Sequence, residues 1–196
     1  YRSLLAIASL KLSLTARTDA NGSLAPTLLW LDGLFDLRVV TRRSDTQKTR
    51  RLRDELPAVG IAVLSSFLAG TKTAFPELFW AVVRRCFSSK EPVRAGYVQG
   101  LAAYLCAGAP RQAAPEPAST APGLLAGLLH VGLFHSGCAN ERVRQAAVRI
   151  LRTVHGRAVG PGAEMPVYGL GSGSAETRQR SQIELSTLFA KHVPEE

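Results

Sequence analysis

Residues 140–156 read Asn-Glu-Arg-Val-Arg-Gln-Ala-Ala-Val-Arg-Ile-Leu-Arg-Thr-Val-His-Gly. Val143, Ala146, Ala147, Ile150, Leu151 and Val154 recur there at gaps of three, one, three, one and three. That spacing is one apolar stripe on a helix of 3.6 residues per turn. Arg142, Arg144, Gln145, Arg149 and Arg152 fall off the stripe, and Val148 is its one apolar exception. Asn140 is placed to cap the first turn, Glu141 sits at the positive end of the helix dipole, and Gly156 suits the left-handed position that ends a helix. Such a helix cannot bury its stripe alone, so the chain must supply neighbours of the same kind.

It does so along most of its 196 residues, of which 46% are apolar and 20% charged. This excludes a disordered chain. Residues 3–14 carry Leu4, Leu5, Ile7, Ala8, Leu10, Leu12 and Leu14 and read as a largely apolar helix, followed by a polar turn ending in Asn21-Gly22. Residues 24–40 resume with Pro26 in the first turn and Leu28, Leu29, Leu31, Leu34, Phe35 and Val39 on a broad apolar face, Trp30 beside it. The second half of the basic stretch 41–55 leads into helical spacing over 56–68, with a helix start expected near Pro57.

Residues 75–87 place Phe75, Leu78, Phe79, Val82, Val83 and Cys86 on one side, with Arg84 and Arg85 in the last turn. Residues 88–92 open a further helix marked by Val93, Tyr97, Leu101, Tyr104 and Leu105. A strongly apolar helix is expected over 123–135. The last helix, over 175–192, is expected to turn Ile183, Leu185, Leu188 and Phe189 inward.

No segment alternates with a period of two, so the fold class is all-α, with about eight helices. Their hairpin-like succession predicts an α-solenoid of the HEAT or armadillo kind, with a compact helical bundle as the alternative. The expected organisation is a helical-repeat segment over 1–109, a Pro/Ala-rich linker over 110–122, and a second helical-repeat segment over 123–196 with a Gly-rich loop at 156–173. Tyr at position 1 marks the sequence as an expected piece of a larger protein. The apolar runs are too short to cross a bilayer. Cys86, Cys106 and Cys138 read as reduced core thiols.

Chemistry-bearing patterns are sparse. The run Gly169-Leu170-Gly171-Ser172-Gly173 precedes a helix but lacks a following Lys-Ser/Thr and a leading strand, so it reads as a linker rather than a phosphate cradle. His130 and His135 differ by about 140° around a helix, and Cys138 adds no fourth ligand, so no metal site is expected. His155 and His192 sit at expected helix C-termini. No residue has a nucleophile's or acid–base setting, so no catalytic residue, metal or cofactor is assigned.

The candidate contact is basic. Arg38, Arg42, Arg43, Lys48, Arg50, Arg51 and Arg53 face a single acid, Asp45, and contribute +6 of the net charge of +9. A solvated inter-helix loop, an acidic protein surface, nucleic acid and an anionic membrane are the readings open to it. Nucleic acid is disfavoured because no stacking aromatics interleave the charges.

Four patches resemble the central region of the Furry family of cell-morphogenesis proteins. They are Leu28-Leu29-Trp30-Leu31-Asp32; residues 78–87 with Val93-Arg94-Ala95-Gly96-Tyr97; Val143-Arg144 with Ala147, Leu151 and Arg157; and Gln182, Leu185-Ser186, Ala190-Lys191 and Pro194-Glu195. They keep the family's order across 24–196. Val83 stands where the family has an acid, and Val193 where it has His. The resemblance implies a large, non-enzymatic helical-repeat scaffold in cell polarity and polarised growth. It also implies protein partners, NDR-class kinases and Mob coactivators among them, and a cytoplasmic location near the cortex or cytoskeleton.

Overall fold

The computed structural model describes residues 25–36, 47–70, 75–107, 122–159 and 174–190, with side chains except at 47–54, 75, 122, 157–159 and 188–189. The described residues form seven helices and no strand: α1 Ala25–Phe35, α2 Gln47–Gly70, α3 Phe75–Cys86, α4 Glu91–Cys106, α5 Pro122–Ser136, α6 Glu141–Val159 and α7 Ala175–Ala190. The helix expected over 3–14 lies outside the described residues, as do most of the 110–122 linker and residues 160–173. The chain divides into two compact units, Tyr1–Gly100 and Leu101–Glu196, whose boundary falls inside α4.

In the first unit α2 packs on both α1 and α3. The helix start expected near Pro57 is corrected: α2 runs unbroken from Gln47 through Pro57 to Gly70. A proline there removes the bond to the carbonyl of Arg53 and costs about 3 kcal/mol in a helix interior. The helix survives because Pro57 faces solvent, while Val59, Val63, Leu64, Phe67 and Leu68 bury a stripe worth about 1.5–3 kcal/mol per side chain.

Phe35 wedges among the helices. A Cβ at Gly60 of α2 would lie 2.6 Å from its ring, and one at Gly96 of α4 would lie 2.3 Å away. Glycine at both positions therefore opens the slot that Phe35 fills, and the ring meets Tyr97 edge-on at 5.3 Å. Leu28, Leu31 and Phe35 are buried as expected, but Leu29 is not part of the core: it is 65% exposed.

In the second unit α5 packs on α6 and α7. All six stripe residues of α6 are buried. Asn140 caps the helix, its side-chain oxygen accepting from the amides of Arg142 (3.1 Å) and Val143 (3.4 Å). Gly156 does not end α6, which continues to Val159, so residues 156–159 are helical rather than part of the expected loop. Gly132 admits Leu151, whose side chain would lie 2.7 Å from a Cβ there. Gln182 of α7 donates to the carbonyl of Leu133 (2.7 Å) and the hydroxyl of Ser136 (2.8 Å) at the end of α5. Leu185 is buried, but Ile183, expected inward, is 61% exposed: the side chains either side of Gln182 cannot all face α5.

The helix–turn–helix segments α3–α4 and α5–α6 repeat at an offset of fifty residues. Ser88 donates its amide to the carbonyl of Arg85, as Cys138 does to that of His135. The amide of Arg94 bonds the Lys90 carbonyl, and that of Arg144 the Asn140 carbonyl. The guanidinium of Arg94 reaches back to the Ser88 carbonyl at 2.8 Å, and that of Arg144 to the Cys138 carbonyl at 2.9 Å. Glu91-x-Val93-Arg94 and Glu141-x-Val143-Arg144 are the matching sequences. Pro26-x-Leu28-x-Trp30 and Pro76-x-Leu78-x-Trp80 bring α1 and α3 into the same spacing.

Candidate functional site

The polar centre of the first unit is built by α1, α3 and α4. Asp32 follows the buried Leu31 on α1 and stands at the edge of the packed face, where Arg85 of α3 donates from Nε to both its carboxylate oxygens at 3.1 and 3.2 Å. One turn on, Asp36 pairs with Lys90. Arg85 also lies 5.9 Å over the ring of Tyr97. Tyr97 itself is fully buried and donates its hydroxyl to the Leu28 carbonyl at 3.2 Å.

Burial raises the Tyr97 pKa above the ordinary phenol range, and the negative charge of Asp32 adds to this, with Arg85 opposing. The phenol stays protonated and serves as a donor. Burial also raises the thiol of Cys86, which is fully enclosed. A protonated thiol is a poor nucleophile. The arrangement of Asp32, Arg85 and Tyr97 joins three helices, and its groups are directed at one another rather than at an opening.

The expected contact residues fall into two sets. Arg38, Arg42 and Arg43 lie outside the described residues. Lys48, Arg50, Arg51 and Arg53 occupy the first turns of α2, so this half of the basic stretch is helical. At 100° per residue the four positions are spread around the helix axis.

Of the histidines, His130 is exposed, while His135 and His155 are buried. No group of three or more His, Cys, Asp or Glu able to hold a metal occurs among the described residues. Only Cys86 is a core thiol: Cys138 is half-buried and Cys106 exposed, so that expectation is corrected for these two. The glycine run 169–173 is outside the described residues. No helix is long and apolar enough to cross a membrane among the described residues.

No family model, curated protein or solved structure matches this chain.

Exposed apolar side chains are the feature that sequence reading missed. Trp30 and Trp80, fifty residues apart, are 39% and 40% exposed, and Phe134 and Ile183 are each 61% exposed. The signal was present in α1 and α5, which are apolar on every side and so have more apolar face than one packing partner covers.

Proposed function

We propose that this chain is a segment of a non-enzymatic helical-repeat scaffold of the Furry kind. It would act by presenting a stacked-helix surface to protein partners, with NDR-class kinases and Mob coactivators the partners the resemblance implies. One observation carries this reading: the turn hydrogen bonds of α3–α4 recur at α5–α6 with a constant offset of fifty residues. A turn whose chemistry recurs fifty residues on is what a helical-repeat array would show, and this supports the reading.

The roles of the resembling residues support the same reading. Asp32, Arg85 and Tyr97 tie three helices together, and Gln182 ties α7 to α5. These residues hold helices in place, as a scaffold requires. A scaffold acts by raising the local concentration of the partners it holds.

The test is affinity purification of the full-length protein from cells, with and without Arg38, Arg42, Arg43, Arg50, Arg51 and Arg53 changed to Ser. Recovery of an NDR-class kinase or Mob coactivator supports the scaffold. Its loss in the variant places the contact on the basic stretch, and its retention moves the contact elsewhere. Recovery of nucleic acid or anionic vesicles instead, falling steeply with salt, replaces the scaffold by an adaptor working through the basic stretch.

A further inference from the structure

Two opposed faces run along α6. One is the buried stripe of Val143, Ala146, Ala147, Ile150, Leu151 and Val154. The other holds Arg142, Gln145, Arg149 and Arg152, at i, i+3, i+7 and i+10, and all four are exposed. At 100° and 1.5 Å per residue these four fall within about 80° of arc and span about 15 Å. Among the described residues, the guanidinium groups of Arg142, Arg149 and Arg152 make no ion pair or hydrogen bond. Arg144 is different: it turns back to the carbonyls of Cys138 and Ala139. The one acid of α6, Glu141, accepts from the side chain of Gln145 at 3.0 Å. The helix–turn–helix unit does not ask for these arginines, since the counterpart positions on α4, fifty residues earlier, are Pro92, Ala95, Gln99 and Ala102. Arg149 and Arg152 stand three residues apart, where like charges repel until an anion lies between them.

We infer that this ridge is the docking surface for an acidic helix of a protein partner. The argument is charge complementarity in register. A guanidinium is planar, weakly hydrated and shaped to take a carboxylate with two parallel bonds. Two helices share one rise per residue, so a partner helix with acids spaced by seven and three residues on one face meets Arg142, Arg149 and Arg152 together. An anionic membrane fits less well. A helix that lies in the interface buries its apolar face there, and that of α6 is enclosed in the second unit. Nucleic acid fits less well too, because α6 has no Phe, Tyr or Trp on which a base could stack.

The test is fluorescence anisotropy on the full chain. The probe is an alanine-based helical peptide of about twenty residues with glutamates spaced by seven and three on one face. Its control has the same composition with the glutamates spread around the helix. The patterned peptide is expected to bind about tenfold tighter than the control, and about tenfold weaker to Arg142→Gln/Arg149→Gln/Arg152→Gln. Changing Lys48, Arg50, Arg51 and Arg53 to Ser should leave its affinity unchanged. Equal binding of the two peptides overturns the inference, because net charge then explains it. So does a loss that follows the 48–53 variant and not the ridge variant. Tighter capture of a DNA duplex or a phosphatidylserine vesicle through the same three arginines gives the ridge to another ligand and also overturns it. The three side chains are exposed, so the variant is expected to melt as the parent does. If it does not, the three single Arg→Gln variants are read in its place, and unchanged affinity in all of them overturns the inference. Kinase recovery does not enter this readout, so the inference and the scaffold proposal fail separately.

Discussion

Two buried protons make stability depend on pH on the alkaline side. The thiol of Cys86 and the phenol of Tyr97 both have folded pKa values above their ordinary 9.0 and 10.0. A raised folded value means that the native state holds its proton where the unfolded chain gives it up. The stabilisation is therefore complete below the ordinary value and is lost as pH rises above it, by about 1.4 kcal/mol per pH unit for each group. Thermal melts from pH 8 to 11 should show Tm falling from about pH 9 and more steeply beyond 10. Cys86→Ala should flatten the first part of that fall and Tyr97→Phe the second.

Sterics decide the neighbouring position. Gly96→Ala brings a Cβ within 2.3 Å of the Phe35 ring and is expected to destabilise by about 1–3 kcal/mol in urea unfolding. Phe35→Leu removes the clashing ring. The double variant should then lose less than the sum of the single ones, a coupling of at least 0.5 kcal/mol or so. Both glycines of this slot were visible in the sequence only as glycines. That their missing side chains are filled by one phenylalanine from another helix was not.

The helices themselves followed the sequence where a stripe was unambiguous, as in α6, whose six stripe residues are buried and whose cap is Asn140. Local rules failed at Pro57 and Gly156, each expected to punctuate a helix. A single unfavourable backbone position costs a few kcal/mol at most, and burial along the element outweighs it. The turns between helices obey a different logic. Arg144 satisfies the carbonyls of Cys138 and Ala139 at 2.9 and 2.7 Å. Arg144→Met should lower stability by about 1 kcal/mol and speed exchange of the α5–α6 turn amides. Arg94→Met should do the same for the turn before α4. Arg144→Lys should restore only part of the loss: both bonds leave the single Nη1, and a lysine ammonium can donate twice but sits on a flexible stem rather than in a planar, pre-organised group.

Charge acts on the molecule as a whole. Seven cations between 38 and 53 give that stretch +6, and its second half is held in a helix where Lys48 and Arg51, and Arg50 and Arg53, stand three residues apart. Like charges at that spacing repel, and salt screens them. Stability should therefore rise between about 10 and 200 mM NaCl, and the rise should vanish when these cations are changed to Ser.

The sequence alone determined the all-helical class, the helix faces of α3 and α6 and the place of the basic stretch, because period, caps and composition are local properties that survive in one dimension. The tertiary structure decided which apolar residues are core and which are surface. Leu28 and Leu29 are adjacent and alike, and only the helices packed around α1 bury one and leave the other 65% exposed. It also decided that Asp32, Arg85 and Tyr97 meet, since pairing across 53 residues depends on how helices cross, which no local pattern encodes. The fifty-residue recurrence lies between the two. Its residues stand in the sequence, but the substitutions around them hide it until the same backbone bonds appear at both turns.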